Sequence, residues 1–422
     1  MKLMVGIALA LAGCKAPTSS KTEPVVLPPP SGTATSPSVT ASAAPPSAPA
    51  DLRLLGGELV DLTAMKSVRV LTTDLTIHGA LTGDTAYLHV RDVAAGTDEL
   101  RAYDVATGAL RWAKPPDHCW EVVATRDGTF CSNEHGTTFF DRAAGASRAV
   151  GPVGRIGGLT VLGSRVLVLT DDPNAPVLES LDEKGVTVGH IKLSSRPVRT
   201  FGKSAFVAIG GVACGASGND LGTDVLCVDA SPRVVWQRNL ALPNGALTQA
   251  DANAIVLSIE RWRGRTSATE IVRTSDGSTL LHLAGVSVSA AIAGSTGNLE
   301  TLVADDVDLA VYDGAGKKQW SVPGGRGESV RAARVGTSLV VARFSASATG
   351  AELLAFELAS GKKLWTGDME FLPISHSRYS NDVELRVEAS RLLMLGTESG
   401  QVYAESFDPS TGKRTASLLR GR

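Results

Sequence analysis

Few residues of this chain stand at spacings that would do chemistry. His118-Cys119 sets a base beside a nucleophile. Neighbours in a strand point to opposite faces, so the two are badly placed to share a proton. The acidic clusters Asp171-Asp172, Asp305-Asp306 with Asp308, and Asn219-Asp220 with Asp224 lack the spacing and closing Glu of a calcium loop. They read as solvated turn carboxylates. Gly202-Lys203-Ser204 imitates the end of a phosphate-binding loop, but Pro197 stands where that loop needs its first Gly. No CxxCH, GxSxG or HExxH pattern occurs, and the seven His residues show no ligand spacing. The expectation is a non-enzymatic chain with no cofactor and no metal.

The cysteines carry more information. Met1 to Gly13 has Lys2 as a minimal basic start and an apolar run, Leu3 to Leu11, too short to span a bilayer. Leu11-Ala12-Gly13-Cys14 then resembles a bacterial lipobox, in which the peptide is cut before a Cys that becomes acylated. Residues 1–13 are thus expected to be a signal peptide and Cys14 the lipidation site. Four cysteines remain, an even number that favours disulfides in an exported chain. Cys214 and Cys227 flank a hairpin loop and are expected to pair. Cys119 and Cys131 flank a hairpin turning at Asp127-Gly128; a two-residue turn would set Ala124 opposite Cys131, so this pair needs a bend near His118. Four cysteines allow three pairings.

The elements that must position these residues are short strands in a repeat. Leu100 to Trp112 alternates apolar and polar residues, turns at Thr107-Gly108, and resumes extended with Leu110 and Trp112 on one face. Leu353 to Trp365 repeats it, with Glu357, Gly361 and Trp365 on Asp104, Gly108 and Trp112. Asp313 to Trp320 and Asp229 to Trp236 have turns one residue shorter. Weaker copies are anchored at Asp141, Asp182, Thr274 and Asp408. Successive anchors lie 37 to 51 residues apart. A period in the forties built of short strands predicts propeller blades of four strands. Eight copies predict an all-β, eight-bladed β-propeller over residues 51–422. Expected outer strand pairs include Ser67–Thr73 with Thr85–Arg91, and Val383–Glu388 with Leu392–Thr397; the closing seam should involve Asp51–Leu75 and the strand near Ala416–Leu419.

The run Ala102-x-Asp104-x-x-Thr107-Gly108-x-x-x-Trp112 resembles the tryptophan-docking repeat of quinoprotein-dehydrogenase-like β-propellers, the PQQ-like repeat family. That family holds PQQ dehydrogenases and also a non-enzymatic lipoprotein of the outer-membrane β-barrel assembly machinery. The resemblance implies blade stacking as the role of Trp112, Trp236, Trp320 and Trp365. The adjacent-Cys disulfide of many family dehydrogenases is absent, since no two Cys are adjacent.

The rest bounds the reading. Residues 14–50 comprise the lipidated Cys and a linker rich in Pro, Ser, Thr and Ala, which cannot bury a core and is expected to be disordered. Net charge is −2, which gives no reason to expect nucleic acid as a partner. Hydrophobic content of 43% supports a sizeable core. Arg261, Trp262, Arg263 and Arg265 in one loop, and Phe371, Arg378 and Tyr379 in another, are candidate contacts to partner proteins. The expected function is a protein-binding scaffold, lipid-anchored to the periplasmic side of the bacterial outer membrane, with β-barrel assembly factors as the partner class the resemblance implies. The alternative is a periplasmic PQQ-dependent oxidoreductase or another propeller enzyme.

Overall fold

The computed structural model describes residues 51–422 except 93–94, 116–118, 173, 196, 198–205, 244, 251–252, 260–266, 295–297, 306–307, 324–328, 345–350, 368, 370–381, 389–390, 399–400 and 421–422. The expected signal peptide, Cys14 and the linker therefore lie outside the described residues, as do all seven candidate partner contacts.

The described chain is a series of antiparallel sheets, each made of consecutive strands. Strands β1 (Leu52–Leu55), β2 (Glu58–Asp61) and β3 (Lys66–Val70) form a three-stranded sheet in the order β1-β2-β3. Strands β4 (Leu75–Thr82), β5 (Thr85–Asp92), β6 (Thr97–Asp104) and β7 (Leu110–Lys114) form the first four-stranded sheet. Seven more four-stranded sheets follow, over residues 121–150, 156–192, 207–240, 246–284, 288–323, 329–366 and 382–420. The expectation of eight blades is thus corrected to nine, numbered here in chain order.

The miscount has a residue-level cause. Blade 1 carries a ninth copy of the repeat that lacks both of its conspicuous residues. Asp61 is the anchor, Met65 stands in the glycine place and Arg69 in the tryptophan place. The register shows it: Leu59 pairs with Arg69 as Ala102 pairs with Trp112, each two residues before its anchor and each followed by a bulge. Met65 even adopts the glycine's left-handed backbone, with φ of 47°. Strands β1, β2 and β3 therefore hold the second, third and fourth places of a blade.

Three further expectations are revised. Ser67–Thr73 does not pair with Thr85–Arg91; β3 pairs with β2, and β5 with β4 and β6. Val383–Glu388 does pair with Leu392–Thr397, but as the first two strands of blade 9. The copy anchored at Thr274 is anchored one residue earlier, because Arg273 N–H donates to Ser278 O as Asp104 N–H donates to Ala109 O.

The core lies between blades, where the sheet faces meet. Blade 1 closes the ring. Its Val60, Leu62 and Met65 pack on Leu393, Leu395 and Ala404 of blade 9, while Leu59 and Leu71 pack on Ala86, Leu88 and Val90 of blade 2. Arg391 Nη1 of blade 9 donates to Thr63 O at 3.3 Å. The C-terminal strand, Arg414–Arg420, stays in its own blade on Gln401–Phe407. The seam is closed by side chains, with no strand shared between blades 9 and 1 among the described residues.

Candidate functional site

The recurring acids were candidates for chemistry, and each is occupied in its own turn. Asp104 Oδ1 accepts from Thr107 N at 2.7 Å and Thr107 Oγ1 at 2.8 Å, while its Oδ2 accepts from Arg111 Nη2 at 2.6 Å. Arg111, then the Thr107 donors, hold its pKa down at about 2. Asp61, Asp141, Asp182, Asp229, Asp313 and Asp408 cap the amides two or three residues on in the same manner. A short acid folds back on such a turn because its oxygens satisfy amides that the hairpin leaves without a ladder partner.

The second recurring feature is the seam between blades. Residues in the tryptophan place reach the turn of the following blade, where a glycine admits them. A Cβ on Gly145 would lie 2.6 Å from the ring of Trp112; on Gly277, 2.5 Å from Trp236; on Gly361, 2.5 Å from Trp320. Gly412 meets Trp365 more closely still. Trp112 Nε1 donates to Arg142 O at 3.2 Å, Trp236 Nε1 to Thr274 O at 2.7 Å, and Trp320 Nε1 to Leu358 O at 2.8 Å. Each accepting carbonyl lies three residues before the glycine. The ring gains a large apolar contact and satisfies its one N–H.

The seams without Trp use substitutes of matched size. Arg69 lays its stem on Gly108 and donates to Thr107 O and, at 2.7 Å, to Ala106 O. Arg148 of blade 3 lies over the Phe139 ring at 5.2 Å and donates to Lys184 O. Gly189 of blade 4 receives Pro232 of blade 5, with an added Cβ 3.0 Å from Pro232 Cδ. Leu281 and Leu283 lie on Gly316. At the last seam the sizes reverse: Ala416 is small and Met65 fills the space.

Both expected disulfides are present. Cys214 faces Cys227 directly across the ladder, with Cα atoms 4.1 Å apart. Cys119 and Cys131 have Cα atoms 5.4 Å apart. The turn is centred on Arg126-Asp127, one residue earlier than Asp127-Gly128, so Val122 opposes Cys131 and Cys119 reaches back from beyond the strand end. Each bridge is buried beside a docking ring, Cys131 in the cluster of Trp112 and Cys227 as the ladder partner of Trp236.

The remaining sequence candidates are not brought together. His118 and Gly202-Lys203-Ser204 lie outside the described residues, and Cys119 is consumed in its disulfide. Asp171 pairs with Arg155 at 2.9 Å, Asp172 caps the amides of Asn174 and Ala175, and Asp224 accepts from Asn239 at 2.8 Å. Among the described residues no three His, Cys, Asp or Glu side chains are grouped to hold a metal. Asp305, expected to be a solvated turn carboxylate, is instead buried at the end of a strand and holds Arg343 in a bidentate pair at 3.1 and 3.0 Å that links blades 7 and 8. No signal marks it, since 38 residues separate the partners.

No family model matches this chain, and no curated protein matches it. Solved structures do. A eukaryotic initiation factor is 9% identical with a TM-score of 0.55, covering 87% of this chain and 95% of that one. The Dos1 propeller is 12% identical at 0.49, covering 81% and 95%. BamB from Moraxella catarrhalis is 14% identical at 0.44, covering 70% and 84%. The likeness to the initiation factor, at 9% identity, speaks to the fold alone, and the fold is the β-propeller that the nine sheets build.

Proposed function

We propose that this chain is a propeller of the PQQ-like repeat type that binds other proteins of the bacterial cell envelope and catalyses no reaction. The observation that carries the reading is the employment of the repeat residues. The recurring Asp carboxylates cap turns and the recurring Trp rings dock blade to blade, which leaves the loops between strands to carry recognition. The two buried disulfides support an oxidising compartment. The lipobox-like run ending at Cys14 supports a lipid tether, and the Pro-rich linker supports reach away from the membrane. Factors of outer-membrane barrel assembly are the partner class suggested by the repeat resemblance.

The test is crosslinking in intact envelopes with the Cys14-anchored protein as bait, beside a Cys14→Ser variant. The expected result is specific protein partners for the wild type and loss of membrane pelleting for the variant. Recovery of no partner, together with stoichiometric PQQ binding and dye-linked alcohol oxidation, would replace this reading with the oxidoreductase.

A further inference from the structure

Among the described residues blade 1 has no strand in the innermost place that the other eight blades fill, and its inner edge is the backbone of β1. Hairpin geometry says which groups that edge presents. Leu62 N–H donates to Asp51 O at 3.2 Å, and the ladder runs Leu52↔Asp61 to Leu55↔Glu58. Antiparallel pairs alternate, so Asp51, Arg53 and Leu55 bond to β2 while Leu52 and Leu54 turn their N–H and C=O groups the other way. Among the described residues no strand pairs with β1 on that side.

The space beside it is continuous with an interface the molecule already uses. The first strands of blades 2 and 3 lie against each other, as do those of blades 3 and 4, 7 and 8, and 8 and 9. The first strand of blade 9 and β4 make no comparable approach among the described residues. An extended segment added to β1 would continue this run of inner strands between blades 9 and 2. In every other blade the first strand directly precedes the second in sequence. The residues that the repeat order assigns here carry Pro45, Pro46 and Pro49, which have no N–H to place in a ladder.

We infer that the inner edge of β1 is a strand-acceptor site for an extended segment of a partner protein, which completes blade 1 by main-chain hydrogen bonds. The eight inner strands already present define the chemistry of the occupant. They run from 3 to 8 residues, contain no Pro and draw mainly on Ala, Val and Leu, as in Val288–Ala293 (VSAAIA), Ala246–Ala250 (ALTQA) and Val207–Ile209 (VAI). The partner segment is therefore Pro-free, with Ala, Val and Leu dominant. The site is set by backbone geometry and stands whether the propeller is a scaffold or an enzyme.

The probe is a fluorescent peptide copying residues 285–294, GVSVSAAIAG, titrated into the full chain and followed by anisotropy and amide hydrogen exchange. Saturable binding below about 1 mM is expected, with at least about tenfold slower exchange at the Leu52 and Leu54 amides. A peptide with Pro at its centre should not bind. Leu54→Pro removes an outward N–H without touching the ladder to β2, so it should keep the fold by circular dichroism and weaken binding about tenfold or more; Leu52→Pro is the second variant. Lack of saturable binding, or protection that avoids these amides, would overturn the assignment. So would protection in the free monomer, meaning that the chain fills its own slot, or protection rising with concentration in a dimer, meaning that a second copy does.

Discussion

The docking seams predict that one glycine substitution will cost far more than another of identical backbone conformation. Gly361 and Gly163 both lie in the left-handed region, with φ of 71° and 61°. Placing Ala there costs about 1–2 kcal/mol at either site, because a Cβ crowds the following carbonyl. At Gly163 nothing lies within 4 Å of the new atom, so that is the whole effect. At Gly361 the new atom falls 2.5 Å from Cδ2 of Trp320. The ring cannot step aside, since its Nε1 is tied to Leu358 O at 2.8 Å and it is 9% exposed. Overpacking of that kind adds about 1–3 kcal/mol. Gly361→Ala should therefore destabilise by about 2–5 kcal/mol and Gly163→Ala by about 1–2, read as shifts of the urea midpoint. Trp320→Ala alone should cost about 3–5 kcal/mol. Combined with Gly361→Ala it should cost less than the sum by about 1 kcal/mol or more, because the clash disappears with the ring. Equal losses at the two glycines, or strict additivity with Trp320→Ala, would refute the docking argument.

Three other outcomes follow from single interactions. Asp104 has a folded pKa of about 2 against an ordinary 3.8. A depressed acid contributes its stability above the unfolded value and loses it as pH falls through the folded one. Asp104→Asn should therefore flatten the acid limb of the stability curve between about pH 4 and 2, and an unchanged limb would count against the cap. Replacing Cys214 and Cys227 together by Ser should lower stability by about 3 kcal/mol, the loop-closure value for a separation of 13 residues, checked by urea midpoint. Asp305→Ala removes the bidentate partner of Arg343, whose side chain is 10% exposed and which keeps the exposed Glu352 at 3.5 Å, and should cost about 3 kcal/mol. Asp305→Leu with Arg343→Met should cost less than that single change, since neither charge remains buried; the reverse order would show that the pair is a net stabiliser.

The local part of this fold is legible because it is encoded within one hairpin. An acid, a turn glycine and a Trp within nine residues specify the cap, the left-handed turn and the face that leaves the blade, and all three were readable at 104–112 and 357–365. The facing positions of Cys214 and Cys227 were readable for the same reason. What only the tertiary structure decided is how the seams match, because each seam joins residues of different blades. Gly189 makes sense only beside Pro232, and Ala416 only beside Met65. The number of blades belongs to this class. Arg69 performs the docking of a Trp, and Met65 takes a glycine's backbone conformation, so the first copy shows neither signature residue in sequence. It is recognised by its ladder register and by the ring it closes, which no window of sequence contains.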